Sequence, residues 1–155
     1  MEIISKFPEE TKKIGHRLAQ FLKPGDLLLF YGDLGSGKTT LIQGICEGLE
    51  VNQDQYITSP TFTLLNFYEG KYPILHIDLY RIDPSSIDDL SIWEFLSSHI
   101  LLIEWAEKIN EIPVNDYLEI TLDYIDETIR KITLVGYGEW SLLLKELEKD
   151  DIWHR

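Results

Sequence analysis

Apolar positions along this chain follow two periods and, in two places, none at all. From Pro8 to Leu22 the apolar residues Ile14, Leu18, Phe21 and Leu22 form a helical stripe. Pro8 suits a first helical position, and Glu9 and Glu10 favour the positive end of the helix dipole. Lys23-Pro24-Gly25-Asp26 then stops the helix with turn chemistry. Leu27-Leu28-Leu29-Phe30-Tyr31 and Ile100-Leu101-Leu102-Ile103 are apolar without alternation, the pattern of strands buried on both faces of a parallel sheet. A helix is expected from about Lys38 to Leu49, with Leu41, Ile42, Ile45 and Leu49 on one side.

Strands are also expected from Phe62 to Tyr68 and from Pro73 to Leu79, joined by a turn at Glu69-Gly70-Lys71. Pro84 to Ser98 mixes polar and apolar residues and reads as short helical pieces. Strict alternation appears late, at Leu118, Ile120, Leu122 and Tyr124 and again at Ile132 and Leu134. These segments, Tyr117 to Tyr124 and Thr128 to Val135, read as an antiparallel hairpin turning near Asp126-Glu127. Trp140, Leu143, Leu144 and Leu147 mark a final amphipathic helix. No repeat, low-complexity stretch or linker interrupts the pattern, so residues 1–155 read as one domain, which is also what the length suggests.

Composition narrows the function classes. No apolar run approaches the ~20 residues a membrane span needs, so no membrane association is expected. Cys46 is the single cysteine, which excludes an internal disulfide, and the opening residues lack the pattern of a secretory leader. The expected location is the cytoplasm. Fourteen Lys and Arg against 27 Asp and Glu give a formal charge of −13. Strong direct nucleic-acid binding would need a basic stripe and is not expected. A phosphate ligand would have to be held locally, by backbone N–H groups, a lysine and a divalent cation.

Such a local site is present. Gly32, Gly37, Lys38 and Thr39 occupy the fixed positions of a P-loop in Gly32-Asp33-Leu34-Gly35-Ser36-Gly37-Lys38-Thr39. A buried strand is expected before it and a helix after it, the context that motif requires. Its glycines allow the backbone to curl so that successive N–H groups face phosphate oxygens, and the following helix adds its positive end. Lys38 is expected to reach the β and γ phosphates of ATP, and the Thr39 hydroxyl to ligate Mg²⁺.

That Mg²⁺ calls for an acid near the loop, and two acids close apolar runs: Asp78 after Ile74-Leu75-His76-Ile77, and Glu104 after Ile100-Leu101-Leu102-Ile103. An acid at the end of a buried strand is costly unless it is paired or faces a metal. His76 alternates with Asp78 and reads first as a packed, hydrogen-bonded histidine, with catalysis as the alternative. Tyr80 and Trp105, which follow the acids, suit either stacking on a base or partner, or plain packing.

Four segments together resemble the TsaE (formerly YjeE) family of small bacterial P-loop ATPases of tRNA threonylcarbamoyladenosine synthesis. They are the loop through Thr40, Ser59-Pro60-Thr61-Phe62-Thr63-Leu64, His76-Ile77-Asp78-Leu79-Tyr80-Arg81, and Ile103-Glu104-Trp105. Thr11 and Gly15 also resemble the family's Thr-x-x-x-Gly. The resemblance implies a three-layer P-loop α/β domain, its mixed sheet having a parallel core flanked by antiparallel strands. It implies a nucleotide site of Thr11, Asp33, Leu34, Gly35, Ser36, Gly37, Lys38, Thr39 and Thr40, holding ATP or ADP. Thr39 and Glu104 would hold Mg²⁺, Lys38, Asp78 and Glu104 would be catalytic, and Ser59, Pro60 and Thr61 would sense the γ-phosphate as a switch. Family members partner a TsaD–TsaB assembly that modifies an adenosine beside the tRNA anticodon, and meet tRNA only through it. Their intrinsic ATP hydrolysis is weak, and partner stimulation is the expectation. Ser36 stands where the family often has alanine, and Ala106 where proline often follows the tryptophan.

Two other functions share the loop. A small-molecule P-loop kinase would need cationic groups to clamp its second substrate, and Arg17, Arg81, Arg130 and Arg155 form no arginine-rich lid segment. A nucleotide-dependent switch without significant catalysis would need only the shape change of 59–61.

Overall fold

The structure is a computed structural model and describes residues 1–52, 54, 55, 57 and 64–154. Its frame is one seven-stranded sheet. The strands are β1 (Glu2–Ser5), β2 (Leu27–Tyr31), β3 (Leu65–Glu69), β4 (Pro73–Asp78), β5 (Ile100–Glu104), β6 (Tyr117–Tyr124) and β7 (Arg130–Tyr137), in the spatial order β1-β7-β6-β2-β5-β4-β3. The four central strands, β6, β2, β5 and β4, are mutually parallel. β3 closes one side antiparallel to β4, and β7 and β1 close the other, antiparallel to β6 and β7 in turn. The expected α/β architecture, a parallel core with antiparallel flanks, is the one observed.

Strand alternation explains the two hydrophobic layers. In β2, β4 and β5, Leu28, Phe30, Ile74, Ile100 and Leu102 face one side and Leu27, Leu29, Leu75, Ile77, Leu101 and Ile103 the other, all buried. The first face is covered by α1 (Pro8–Ala19), α2 (Lys38–Gly48) and α3 (Glu139–Leu147), which contribute Ile14, Leu18, Leu41, Ile42, Ile45, Trp140 and Leu144. The second is covered by short 3₁₀ turns instead of α-helices, with Ile87, Ile92 and Ala106 filling it. The segment 84–98 therefore is the series of short helical pieces its mixed pattern predicts.

α1 and α2 pack unusually close. A Cβ on Gly15 would lie 2.4 Å from the Leu41 carbonyl oxygen, and one on Gly44 2.2 Å from that of Lys12. Only hydrogen side chains fit this crossing. α1 ends at Ala19, three residues before the predicted Leu22, because Phe21 and Leu22 donate to the carbonyls of Leu18 and Ala19, tightening the last turn. β1 was not expected, since four residues carry too little alternation to register as a strand. Pairing with β7 holds it, with Ile3 buried and Ile4 exposed. Of the predicted strand Phe62 to Tyr68, residues 62 and 63 lie outside the described residues, and β3 runs Leu65–Glu69.

Candidate functional site

The site assembles where the parallel strands end, the edge at which ligands of open α/β sheets bind. β2 leads directly into the glycine loop, and α2 leaves it at Lys38. Gly32, Gly35 and Gly37 have φ of 143°, 78° and 103°, a region open to glycine at little cost. At Gly32 a Cβ would also meet the Leu122 carbonyl oxygen at 2.7 Å. No acid occupies the first turn of α2, so its positive end is left for an external anion.

Register brings the two acids together. Asp78 on β4 stands level with Glu104 on β5, and Glu104 is level with Phe30 on β2, two residues before the loop. Both carboxylates share the α2 face of the sheet, and both are 2% exposed. Strands so paired lie ~4.8 Å apart, so the acids form adjacent posts at the floor of the loop. The Asp78 carboxylate also accepts the Tyr80 N–H at 2.8 Å, which turns the chain sharply after β4.

One cleft of about 310 Å³ is lined by Leu34, Gly35, Ser36, Gly37, Lys38, Thr39, Thr40, Asp78, Glu104, Trp105 and Arg130. Residues as far apart in sequence as Leu34 and Arg130 thus meet at one cavity. Another cavity, about 390 Å³, lies against Pro84, Ile87, Asp88 and Trp93 on the other face, and has acids but no lysine or arginine in its wall. It is unsuited to phosphate. Among the described residues, no helix is long and apolar enough to cross a membrane.

Lys38 is 6% exposed. Its ammonium donates to the Gly32 carbonyl at 2.5 Å and lies 4.1 Å from the centre of the Trp105 ring. Burial pulls its pKa below the usual lysine value, opposed by the negative charges of Glu104, Glu107, Asp78 and Asp33. Trp105 also packs against Tyr80, with ring centres 4.8 Å apart and ring planes tilted by 41°, so the two aromatics lie against each other beside the loop. Trp105 itself takes a left-handed backbone conformation, φ 59°, and starts the turn through Ala106, which is buried.

Glu104 is joined to His76. The His76 Nε2 lies 2.7 Å from Glu104 Oε2, and His76 is fully buried. His76 is thus a packed, hydrogen-bonded histidine, and its partner is one of the two acids.

Thr11 is buried, its hydroxyl sharing a 2.7 Å hydrogen bond with that of Ser5. It sits one turn before Gly15, which packs on Leu41, and does not line the cleft. Asp33 precedes the lining residues and does not line the cleft itself. Ser59, Pro60 and Thr61 lie outside the described residues.

Arg130 was noted in the sequence only for its isolation from other arginines. At the start of β7 it donates through Nε to the Ser36 carbonyl at 2.9 Å and through Nη2 to that of Gly35 at 3.2 Å. Nη1 takes the carbonyls of Asp126 and Ile129, and the guanidinium lies 4.7 Å from the Tyr124 ring centre. One side chain therefore ties the β6–β7 hairpin to the apex of the loop. Nothing local to residue 130 signals this, since its targets are 94 and 95 positions away.

The donors suit the groups expected here. The Ser36 hydroxyl, buried within the loop, has no hydrogen-bond partner among the described residues. Among the described residues no three His, Cys, Asp or Glu side chains gather into a metal cage. A hydroxyl, two carboxylates and the oxygens of a bound phosphate are the set that Mg²⁺ takes, in contrast to all-protein cages.

The family model for "Threonylcarbamoyl adenosine biosynthesis protein TsaE" matches residues 5–132. The chain is 39% identical over 147 residues to the tRNA threonylcarbamoyladenosine biosynthesis protein TsaE of Bacillus subtilis, covering 93% of this chain and 91% of that one. It is 37% identical over 134 residues to the protein of that name from Aquifex aeolicus, covering 86% and 94%. A crystal structure of Bacillus subtilis YdiB superposes with a TM-score of 0.81 at 34% identity, covering 97% and 95% of the two chains.

Proposed function

The chain belongs to the TsaE family, and from that premise we propose that it is a Mg²⁺-dependent ATP-binding and ATP-hydrolysing accessory protein of tRNA threonylcarbamoyladenosine biosynthesis. The observation that carries this reading is the convergence, in one cleft, of the glycine loop, Lys38 and the level pair Asp78 and Glu104. The loop N–H groups and the start of α2 bind the β-phosphate region. The ammonium of Lys38 exchanges the Gly32 carbonyl and the Trp105 face for phosphate oxygens. Thr39 and Glu104 hold Mg²⁺, which when bound neutralises phosphate charge. Asp78 orients or deprotonates the attacking water.

The acidic surface, −13 in formal charge, suits docking on a basic, tRNA-binding protein assembly of the TsaD–TsaB kind and disfavours direct contact with tRNA. Nucleotide turnover then serves that assembly. Ser59, Pro60 and Thr61 would report the γ-phosphate to it, and Thr11 would support the start of α2 from the neighbouring helix.

Lys38→Ala is the direct test. Calorimetric titration with ATP and Mg²⁺ should show no binding in that variant, and wild-type affinity would remove the site assignment. Turnover measured with and without TsaD–TsaB-like proteins and tRNA tests the accessory role. An absence of stimulation, with phosphate passed instead to a small hydroxyl compound, would replace it with a kinase.

A further inference from the structure

Glu104 and His76 are both buried, lie on adjacent strands and meet at 2.7 Å. The contact is diagonal: His76 is level with Leu102, two residues before Glu104 on the same face. A carboxylate oxygen and an imidazole nitrogen this close need a proton between them, and only the nitrogen carries one when the carboxylate is ionised. The far side of the ring is set by β3, where the Tyr68 hydroxyl lies 3.5 Å from His76 Nδ1 and the ring centres are 6.1 Å apart. Asn66 Nδ2 donates to that hydroxyl at 3.3 Å. A polar line thus crosses three strands, from Asn66 through Tyr68 and His76 to Glu104.

We propose that His76 is a positioning residue for Glu104: its Nε2–H holds Oε2 and so sets the direction in which the carboxylate faces the cleft, with Tyr68 fixing the ring. This rests on the reading of Glu104 as a Mg²⁺ ligand. The bond occupies one of about four lone-pair sites of the carboxylate, so it orients the group without using up its capacity to accept or ligate. A buried neighbour of a metal ligand typically changes metal affinity by about 10- to 100-fold when removed. His76 does not line the cleft, so nucleotide binding without metal should be independent of it.

The test has two parts. In the first, ADP binding is titrated against Mg²⁺ and repeated in EDTA, for the wild type, His76→Leu and His76→Gln. Leucine should raise the half-saturating Mg²⁺ about 10- to 100-fold and leave EDTA affinity unchanged. Glutamine, whose amide nitrogen reaches nearly as far as Nε2, should restore most of the difference. A folded leucine variant that needs no more Mg²⁺ than the wild type, or a folded glutamine variant as impaired as leucine, overturns the proposal, and equal loss in EDTA and Mg²⁺ shows a merely structural histidine. In the second, ¹⁵N NMR of the imidazole in metal-free wild-type protein should show the proton on Nε2. An Nε2 without a proton overturns the proposal whether or not the variants fold. A wild type that ignores Mg²⁺ altogether would instead overturn the reading of Glu104 as a Mg²⁺ ligand beneath it.

Discussion

Gly44→Ala puts the close α1–α2 contact to a direct test. The added Cβ would sit 2.2 Å from the Lys12 carbonyl oxygen, 2.8 Å from its Cα and 2.9 Å from its carbonyl carbon. Carbon contacts are comfortable at ~3.5–4.0 Å, so the helices must part by roughly 1 Å. All three blocking atoms are backbone, and no rotamer change relieves them. One effect works the other way: alanine is favoured over glycine inside a helix by about 1 kcal/mol. Overpacking costs about 1–3 kcal/mol and sometimes more, and a rigid carbonyl in the way places this site at the upper end. The net expectation is a loss of about 2 kcal/mol. For a 155-residue domain, at ~2–4 °C per kcal/mol, that is a Tm drop of about 4–8 °C. Thermal melts followed by circular dichroism, supported by urea melts with unchanged m, measure it. A Tm equal to or above that of the wild type would mean that propensity wins and that the crossing is looser than the backbone distances state.

Other outcomes follow from the site and its surroundings. Arg130→Ala removes the donors to the Gly35 and Ser36 carbonyls; ADP affinity should fall about tenfold, or ~1.4 kcal/mol, and amide exchange in the loop should quicken. Arg130→Lys should not rescue, since an ammonium lacks the fork, and unchanged affinity and exchange in the alanine variant would show that the hairpin does not hold the loop. Asp26 tests a buried charge away from the cleft. Burial raises its carboxyl above the ordinary 3.8, with the Lys23 amide and ammonium pulling it back. The folded group binds protons more tightly than the unfolded one, so its contribution to stability falls as pH rises from about 3.8 through the raised folded value, and the penalty is complete above that. Asp26→Asn keeps an acceptor for the Lys23 N–H, and its stability relative to wild type should climb across that window in urea melts. A relative stability that declines with pH would mean that the Lys23 ion pair, at 3.5 Å, dominates instead.

The phosphate loop was legible because its chemistry is contiguous. Eight neighbouring residues supply the glycines, the lysine and the hydroxyl, and a strand and a helix flank them in the same stretch of chain. The buried parallel strands were legible as well, since a strand covered on both faces has no polar positions, and Asp78 and Glu104 stood out as the acids that end such runs. Side-chain period alone sets these features. Strand order left no such trace. That β2 lies between β6 and β5, and that Asp78 is level with Glu104, depends on which strands pair and in which register. The partners of His76 and Arg130 lie 28 and about 95 residues away and are chosen by that pairing. Gly44 looks, in sequence, like a weak helix residue, and only the approach of Lys12 shows why it carries no side chain. Local chemistry therefore named the phosphate site, while the sheet register decided which acid, histidine and arginine complete it, because the contacts that complete it are made between strands and not along the chain.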